Sequence, residues 1–78
     1  MINIEEFIIK FSEQFEDTDV QDFTSETVFK DIEEWDSLLS LSVIAMVDEE
    51  CDVILSGDDI VKSKTIGDLY IVVNIKSN

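Results

Sequence analysis

Apolar residues recur with helical spacing near the start of the chain. Asn3 precedes this run, in a position where its side chain can cap the first turn of a helix. Five apolar residues then follow the i, i+3, i+4 pattern of an amphipathic helix: Ile4, Phe7, Ile8, Phe11 and Phe15. The pattern predicts a first helix over about residues 4–15.

The periodicity fades between Glu16 and Asp36. Acidic, threonine and serine residues dominate this stretch, and such residues favour turns and caps. Scattered among them are five apolar residues that we expect to pin the segment to a helical core: Val20, Phe23, Val28, Phe29 and Ile32. The sequence therefore predicts a long loop, and loops of this length in small domains are often functional.

A second helix is predicted to begin at Asp36 or Ser37 and to end near Cys51, with Asp36 as its N-cap. Its apolar residues form two stripes. One stripe comprises Ser40, Val43, Ile44, Val47 and Cys51; the other comprises Leu38, Leu41 and Ala45. A helix that is apolar on more than one face is either deeply buried or contacts something besides its own core.

Two further helix starts follow a short extended piece at residues 52–55. Ser56 with Asp59, and Thr65 with Asp68, have the spacing of a capping box. The first predicts a short helix, and the second a last helix with Ile66, Leu69, Tyr70 and Val73 on one side. We therefore expect an all-α fold: a small up-and-down bundle of three main helices plus one short helix, in a single domain over residues 1–78.

Charge and composition exclude several classes of function. The chain has 78 residues and a net charge of −14, so neither nucleic acid nor an anionic membrane is an expected partner. Histidine is absent, which removes the usual general base at neutral pH and histidine-containing zinc sites. A calcium loop beginning at Asp17 fails because Asp22 stands where glycine is required and Val28 where the last glutamate should be. No metal site is therefore expected.

Location and partners can also be predicted from the composition. The single Cys51 excludes an internal disulfide, which fits a reducing cytoplasm. The longest apolar run, residues 38–47, is too short to cross a bilayer, and no basic region precedes a signal-like stretch. We expect a cytoplasmic acidic domain whose partners are basic proteins.

Three segments carry a family resemblance. They are Trp35-Asp36-Ser37-Leu38 at the second helix start, the acidic triplet Asp48-Glu49-Glu50 that begins eleven residues after the serine, and Thr65-Ile66-Gly67-Asp68-Leu69. In this order the chain resembles the acyl carrier protein family over essentially its whole length. The resemblance implies that Ser37, flanked by Asp36 and Leu38, accepts 4′-phosphopantetheine from coenzyme A through a separate magnesium-dependent transferase. The terminal thiol then carries acyl groups as thioesters, and the carrier is not itself an enzyme.

The resemblance also implies a partner face on the second helix. The carboxylates of Asp48, Glu49 and Glu50 would meet basic patches on the transferase and on an acyl-loading ligase or synthase. Leu38, Leu41 and Ala45 would form the apolar centre of the contact. The stripe of Val43, Ile44, Val47 and Cys51 would then belong to the core. We expect a monomer that meets these enzymes in turn.

Alternatives remain at this point. Leu39 and Ser42 stand where carriers of the fatty-acid type usually have acidic residues, and Trp35 beside the motif looks more like carriers of a specialised pathway. An aminoacyl or peptidyl carrier is one alternative, and a non-carrier acidic module that mimics nucleic acid is another. Ser37 taken alone could be a capping residue, and the acidic triplet could be only a solvated surface.

Overall fold

Four α-helices make up most of residues 2–77, the part of the chain that the computed structural model describes. They are α1 (Ile4–Ser12), α2 (Ser37–Cys51), α3 (Gly57–Lys62) and α4 (Ile66–Ser77). Helices α1, α2 and α4 pack against one another, and α3 packs against α4. The predicted all-α bundle of three main helices and one short helix is confirmed. No helix within residues 2–77 combines the length and the apolar character needed to span a membrane.

The predicted caps are present. The Asn3 side chain accepts a hydrogen bond from the Glu6 N–H at 2.8 Å. Ser56 and Asp59 form a complete capping box at the start of α3. At the start of α4, Thr65 and Asp68 exchange the same pair of side chain to backbone bonds, at 3.0 and 3.1 Å. Local side chain chemistry therefore determines where α1, α3 and α4 begin.

Helix α1 is shorter than predicted. It ends at Ser12 rather than near Phe15, and the Ser12 hydroxyl donates to the Ile9 carbonyl. Gln14 and Phe15 continue with tighter backbone bonds to the residues three positions earlier. Because such a 3₁₀ turn keeps a helix-like spacing, Phe15 is still buried and its ring centroid lies 5.7 Å from that of Phe11. The periodicity was correct, but the type of helix was not.

The predicted long loop contains two short 3₁₀ helices, Val20–Asp22 and Phe29–Asp31. Phe23 and Phe29 are buried, and Val28 and Ile32 are half-buried, as expected. Val20 is exposed, so its predicted role as an anchor was wrong. Val20 lies in a 3₁₀ helix that has no buried residue, and the core contact is made instead by Phe23, whose ring centroid lies 5.0 Å from that of Phe15.

The loop is fastened to the start of α4 by backbone hydrogen bonds. The Gly67 N–H donates to the Ser25 carbonyl at 2.8 Å, and the Ile66 N–H donates to the Thr27 carbonyl at 3.1 Å. Val28 and Thr65 form an isolated antiparallel bridge beside them. A Cβ atom at Gly67 would lie 2.9 Å from the Ser25 carbonyl oxygen, so glycine permits this close approach.

Replacing Gly67 by alanine is therefore expected to destabilise the fold. The added methyl group would meet a backbone oxygen that is itself hydrogen-bonded, and relieving such overpacking costs about 1–3 kcal/mol of unfolding free energy. Gly57→Ala is the matched control, because nothing lies within 4 Å of a Cβ there. The control should be neutral or stabilising by up to about 1 kcal/mol. Urea denaturation of both variants checks the prediction, and equal stabilities would contradict it.

The core is largely aromatic on the α1 side. Phe11 is fully buried, and its ring lies within 6.3 Å, centroid to centroid, of five other aromatic rings. These rings come from α1, from the loop and from the residue before the Asp36-Ser37 motif: Phe7, Phe15, Phe23, Phe29 and Trp35. The cluster therefore joins the loop and the start of α2 to the first helix.

The core face of α2 was predicted only in part. Val43, Val47 and Cys51 are buried as expected, whereas Ile44 is only half-buried. Leu39 and Met46, which the prediction left out, are buried. The true face is thus rotated by part of a turn, toward the side that begins with Leu39. Because apolar residues surround most of this helix, its periodicity could not determine the rotation.

Candidate functional site

Asp36 is the N-cap of α2. Its backbone is extended and its carboxylate accepts the Leu39 N–H at 2.9 Å. Ser37 is consequently the first residue of the helix and not its cap. The interpretation of Ser37 as a capping residue, left open by the sequence, does not hold.

The start of α2 leaves backbone donors available beside Ser37. The first N–H groups of a helix have no partner within the helix, and Asp36 takes up only that of Leu39. The N–H groups of Ser37 and Leu38 remain, at the positive end of the helix dipole. A phosphate joined to the Ser37 Oγ atom would lie next to these donors, so the site suits an anionic substituent.

The Ser37 side chain is exposed. It differs in this from Ser12 and Ser63, which are buried and whose hydroxyls donate to the carbonyls of Ile9 and Asp59. The hydroxyls of Ser12 and Ser63 are thus committed to backbone structure. Ser37 is accessible to another protein.

A groove of about 770 Å³ lies between α2 and α3, and Ser37 is one of the residues that line it. Its lining includes the following residues: Lys30, Trp35, Asp36, Ser37, Ser40, Leu41, Ile44, Gly57, Ile60 and Val61. Most of the wall is apolar side chain. The sequence did not indicate this groove, because it depends on where α3 lies relative to α2, and the capping box at Ser56 shows only that α3 exists.

The side chains of Trp35 and Glu34 hold the segment that leads into Ser37. The Trp35 ring stacks on Phe11 with 6.3 Å between centroids and meets the Phe29 ring edge-on at 4.9 Å. The Glu34 carboxylate accepts hydrogen bonds from the N–H groups of Glu16 and Asp17, at 2.6 and 3.0 Å. The Thr18 hydroxyl donates to the same carboxylate at 3.2 Å. These contacts therefore fix the position of the segment that precedes the Asp36-Ser37 motif.

The hydrogen bonds from the backbone of Glu16 and Asp17 lower the pKa of Glu34 below its ordinary value of 4.5. A lowered pKa in the folded state stabilises the protein above the unfolded pKa, and this contribution is lost as the pH falls through the folded pKa. We expect Glu34→Gln to be less stable than wild type at pH 7, and the difference to shrink on acidification. Denaturation curves at several pH values measure it. Glu33→Gln is the control, and a difference for Glu34→Gln that is independent of pH would contradict the prediction.

The outer face of α2 is exposed where the partner face was predicted. Leu38 is 71% exposed, Leu41 is 63% exposed, and Ala45 is also exposed. Val61 of α3, which the sequence analysis did not include, is 70% exposed and lines the groove together with Leu41. Large aliphatic side chains thus lie at the surface on both sides of the groove.

The acidic triplet lies in the last turn of α2, and all three residues are exposed. Negative charge there opposes the helix dipole and is slightly destabilising. Glu50 forms an ion pair with Lys10 of α1 at 3.8 Å, whereas no lysine within residues 2–77 lies in ion-pair distance of Asp48 or Glu49. Glu50 therefore has a structural contact, and Asp48 and Glu49 are the residues suited to testing recognition.

No group of three or more acidic or thiol side chains within residues 2–77 is arranged to hold a metal ion. Comparisons with protein-family models, with curated proteins and with solved structures found no match to this chain. The function is therefore argued from the site and from the motif spacing.

Proposed function

We propose that this protein is an acyl carrier whose Ser37 bears a 4′-phosphopantetheine arm. The observation that carries the proposal is an exposed serine in the first turn of α2 whose capping role has been taken by its neighbour Asp36. Such a serine contributes little to the fold. It lies beside free helix N–H groups and lines a largely apolar groove, which suits attachment of an arm that ends in an acyl group.

In the attachment reaction the carrier supplies the hydroxyl group of Ser37. The Ser37 Oγ atom would form a bond to the phosphorus that bears the pantetheine, the pyrophosphate bond of coenzyme A would break, and 3′,5′-ADP would leave. In the proposed reaction a base on the transferase takes up the hydroxyl proton, since this chain has no histidine to serve as the usual base at neutral pH. The resulting phosphodiester lies at the N–H groups of Ser37 and Leu38. The arm supplies a thiol that forms thioesters with the carried group, so the chain has no catalytic role of its own.

The partners follow from the surface of α2. Leu38, Leu41 and Ala45 form an exposed apolar centre, and Asp48 and Glu49 add negative charge at the far end of the same helix. A transferase or acyl-loading ligase or synthase with a basic patch around an apolar depression complements this face. We propose that the protein acts as a cytoplasmic monomer that presents Ser37 to each of these enzymes in turn.

The direct test is to incubate the wild-type protein with coenzyme A, magnesium and a broad-specificity phosphopantetheinyl transferase. Intact mass spectrometry should show the addition of one phosphopantetheine, and fragmentation should place it on Ser37. If several transferases of different specificity leave the mass unchanged, the carrier function is wrong and an acidic interaction module takes its place. Loading of the modified protein by an amino-acid-activating enzyme, and not by acyl ligases, would indicate the aminoacyl or peptidyl alternative.

Charge reversal at Glu49 tests the acidic part of the partner face. Glu49→Lys should slow modification several-fold at low salt by lowering the association rate, and the deficit should shrink as salt screens the charges. Glu26→Lys changes the net charge equally at an exposed loop residue and serves as the control. Modification rates measured over a salt titration decide the question. Equal rates for Glu49→Lys and wild type at low salt would show that the triplet is only a solvated surface.

Truncating Leu38 or Leu41 tests the apolar part. Since both side chains are exposed, each alanine variant should keep its unfolding free energy within about 0.5 kcal/mol of wild type. Each should nevertheless weaken binding to the transferase about tenfold, with little dependence on salt. The two measurements together separate the roles: an unfolding loss of about 2–5 kcal/mol would indicate core residues instead.

A further inference from the structure

Lys30 lines the same groove as Ser37. It belongs to the second 3₁₀ helix of the loop, and its Nζ atom donates to the Val61 carbonyl at 2.7 Å. The same atom lies 5.7 Å from the centroid of the Phe29 ring. The side chain thus reaches from the loop to the last turn of α3, and places an ammonium group at the groove.

The charge of Lys30 is not matched by a carboxylate. Lys10, Lys62 and Lys76 each form an ion pair, with Glu50, Asp58 and Asp59 respectively. Within residues 2–77, no carboxylate lies in ion-pair distance of Lys30, and its one hydrogen bond is to a neutral carbonyl. Lys64 likewise forms no ion pair within residues 2–77, but it does not line the groove, whereas Lys30 does.

The surroundings favour an anion at this position. Trp35, Ile44 and Ile60 form apolar walls, and a charge interaction is stronger beside apolar surface than in open water. Asp36 is the one acidic residue that also lines the groove, and its carboxylate is bonded to the Leu39 N–H. A lysine that bonds a carbonyl at a helix C-terminus makes a modest contact. An anionic oxygen would form a stronger, charge-assisted bond with the same ammonium.

We propose that Lys30 binds an anionic oxygen of the group that is attached to Ser37. This inference rests on the proposed carrier function and makes Lys30 a ligand of the arm or of its cargo. The oxygen has two possible sources: the phosphodiester of the arm itself, or a carboxylate at the far end of the carried acyl group. The second source would define a substrate class, namely acyl groups derived from dicarboxylic acids.

The experiment compares wild type and Lys30→Met in four forms: unmodified, carrying the arm alone, carrying a hexanoyl arm and carrying an adipoyl arm. The hexanoyl and adipoyl groups have the same chain length, and only the latter ends in a carboxylate. Melting temperatures are measured at low salt, and the quantity of interest is how far Lys30→Met falls below wild type in each form. Lys62→Met is the control, because it removes the same charge from an exposed residue of α3 that does not line the groove.

If Lys30 binds the phosphodiester, the difference in melting temperature between wild type and Lys30→Met should widen by about 2–5 °C when the arm is added. This gap should then stay the same in the acylated forms. If it binds a carboxylate of the cargo, the gap should widen only in the adipoyl form. In either case Lys30→Arg should keep the extra thermal stability that the bound group gives to wild type. The ¹⁵N signal of the wild-type Lys30 ammonium should shift in those forms in which the difference in melting temperature widens. An equal gap in all four forms, with an unchanged signal, would show that Lys30 is only a C-terminal cap of α3. Failure to attach the arm would instead overturn the proposed function.

Discussion

Replacing Ser37 by alanine is expected to abolish phosphopantetheine transfer completely. The substitution removes the Oγ atom to which phosphorus would bond in the proposed reaction. The fold should be unaffected, since Ser37 is exposed and the helix cap is supplied by Asp36. Ser40→Ala is the matched control, because Ser40 lies one turn further along α2 and lines the same groove.

The measurement is the modified fraction by intact mass at several times, beside a circular dichroism spectrum of each variant. Ser40→Ala should be modified at close to the wild-type rate. Modification of Ser37→Ala would show that attachment occurs elsewhere, and the proposed site would then be wrong even though the chain is a carrier. A loss in both serine variants would instead point to damage of the α2 surface that the transferase binds.

Replacing Phe11 by alanine is expected to have the largest effect on stability. The ring is fully buried and contacts aromatic rings from α1, from the loop and from the α2 start. Removing such a side chain typically costs about 3–5 kcal/mol of unfolding free energy. A domain of this size has a small stability margin, which repulsion within a net charge of −14 reduces further. We therefore expect Phe11→Ala to be largely unfolded at 37 °C.

Fluorescence of the single tryptophan reports the transition, because Trp35 stacks on Phe11. Ile9→Ala is the control, since Ile9 lies on the same helix and is 48% exposed. It should change the unfolding free energy by no more than about 0.5 kcal/mol. A cooperative melt of Phe11→Ala close to that of wild type would mean that the aromatic cluster can close the cavity by repacking.

Capping residues and strong periodicity determined what could be predicted of the fold. Asn3, Asp36, Ser56 and Thr65 bond to backbone groups within a few residues, so the starts of the four helices follow from local sequence. The end of α1 did not follow, because the step from an α-helix to a 3₁₀ turn at Ser12 keeps nearly the same spacing of apolar residues.

The candidate site was predictable at its centre and not at its edges. The motif around Ser37 could be placed at a helix start, and the exposure of Leu38, Leu41 and Ala45 matches the face that was set apart from the core. Leu39 and Met46 were missed because α2 is apolar on nearly all sides, so its rotation is decided by packing against α1 and α4. Lys30 was missed because it lies thirty-one positions before Val61 in the sequence, and only the fold brings the two residues together.

The hydrogen bonds between the loop and α4 are expected to form late in folding. The hydrogen bonds that the carbonyls of Ser25 and Thr27 accept from the start of α4 join residues about forty positions apart. The helices and their caps, in contrast, form from local contacts. Closing a loop of that length costs entropy before its bonds can form, so we expect these bonds to form after the transition state. Gly67→Ala should then accelerate unfolding and leave the folding rate nearly unchanged in stopped-flow measurements. A slowed folding rate would place the loop in the folding nucleus.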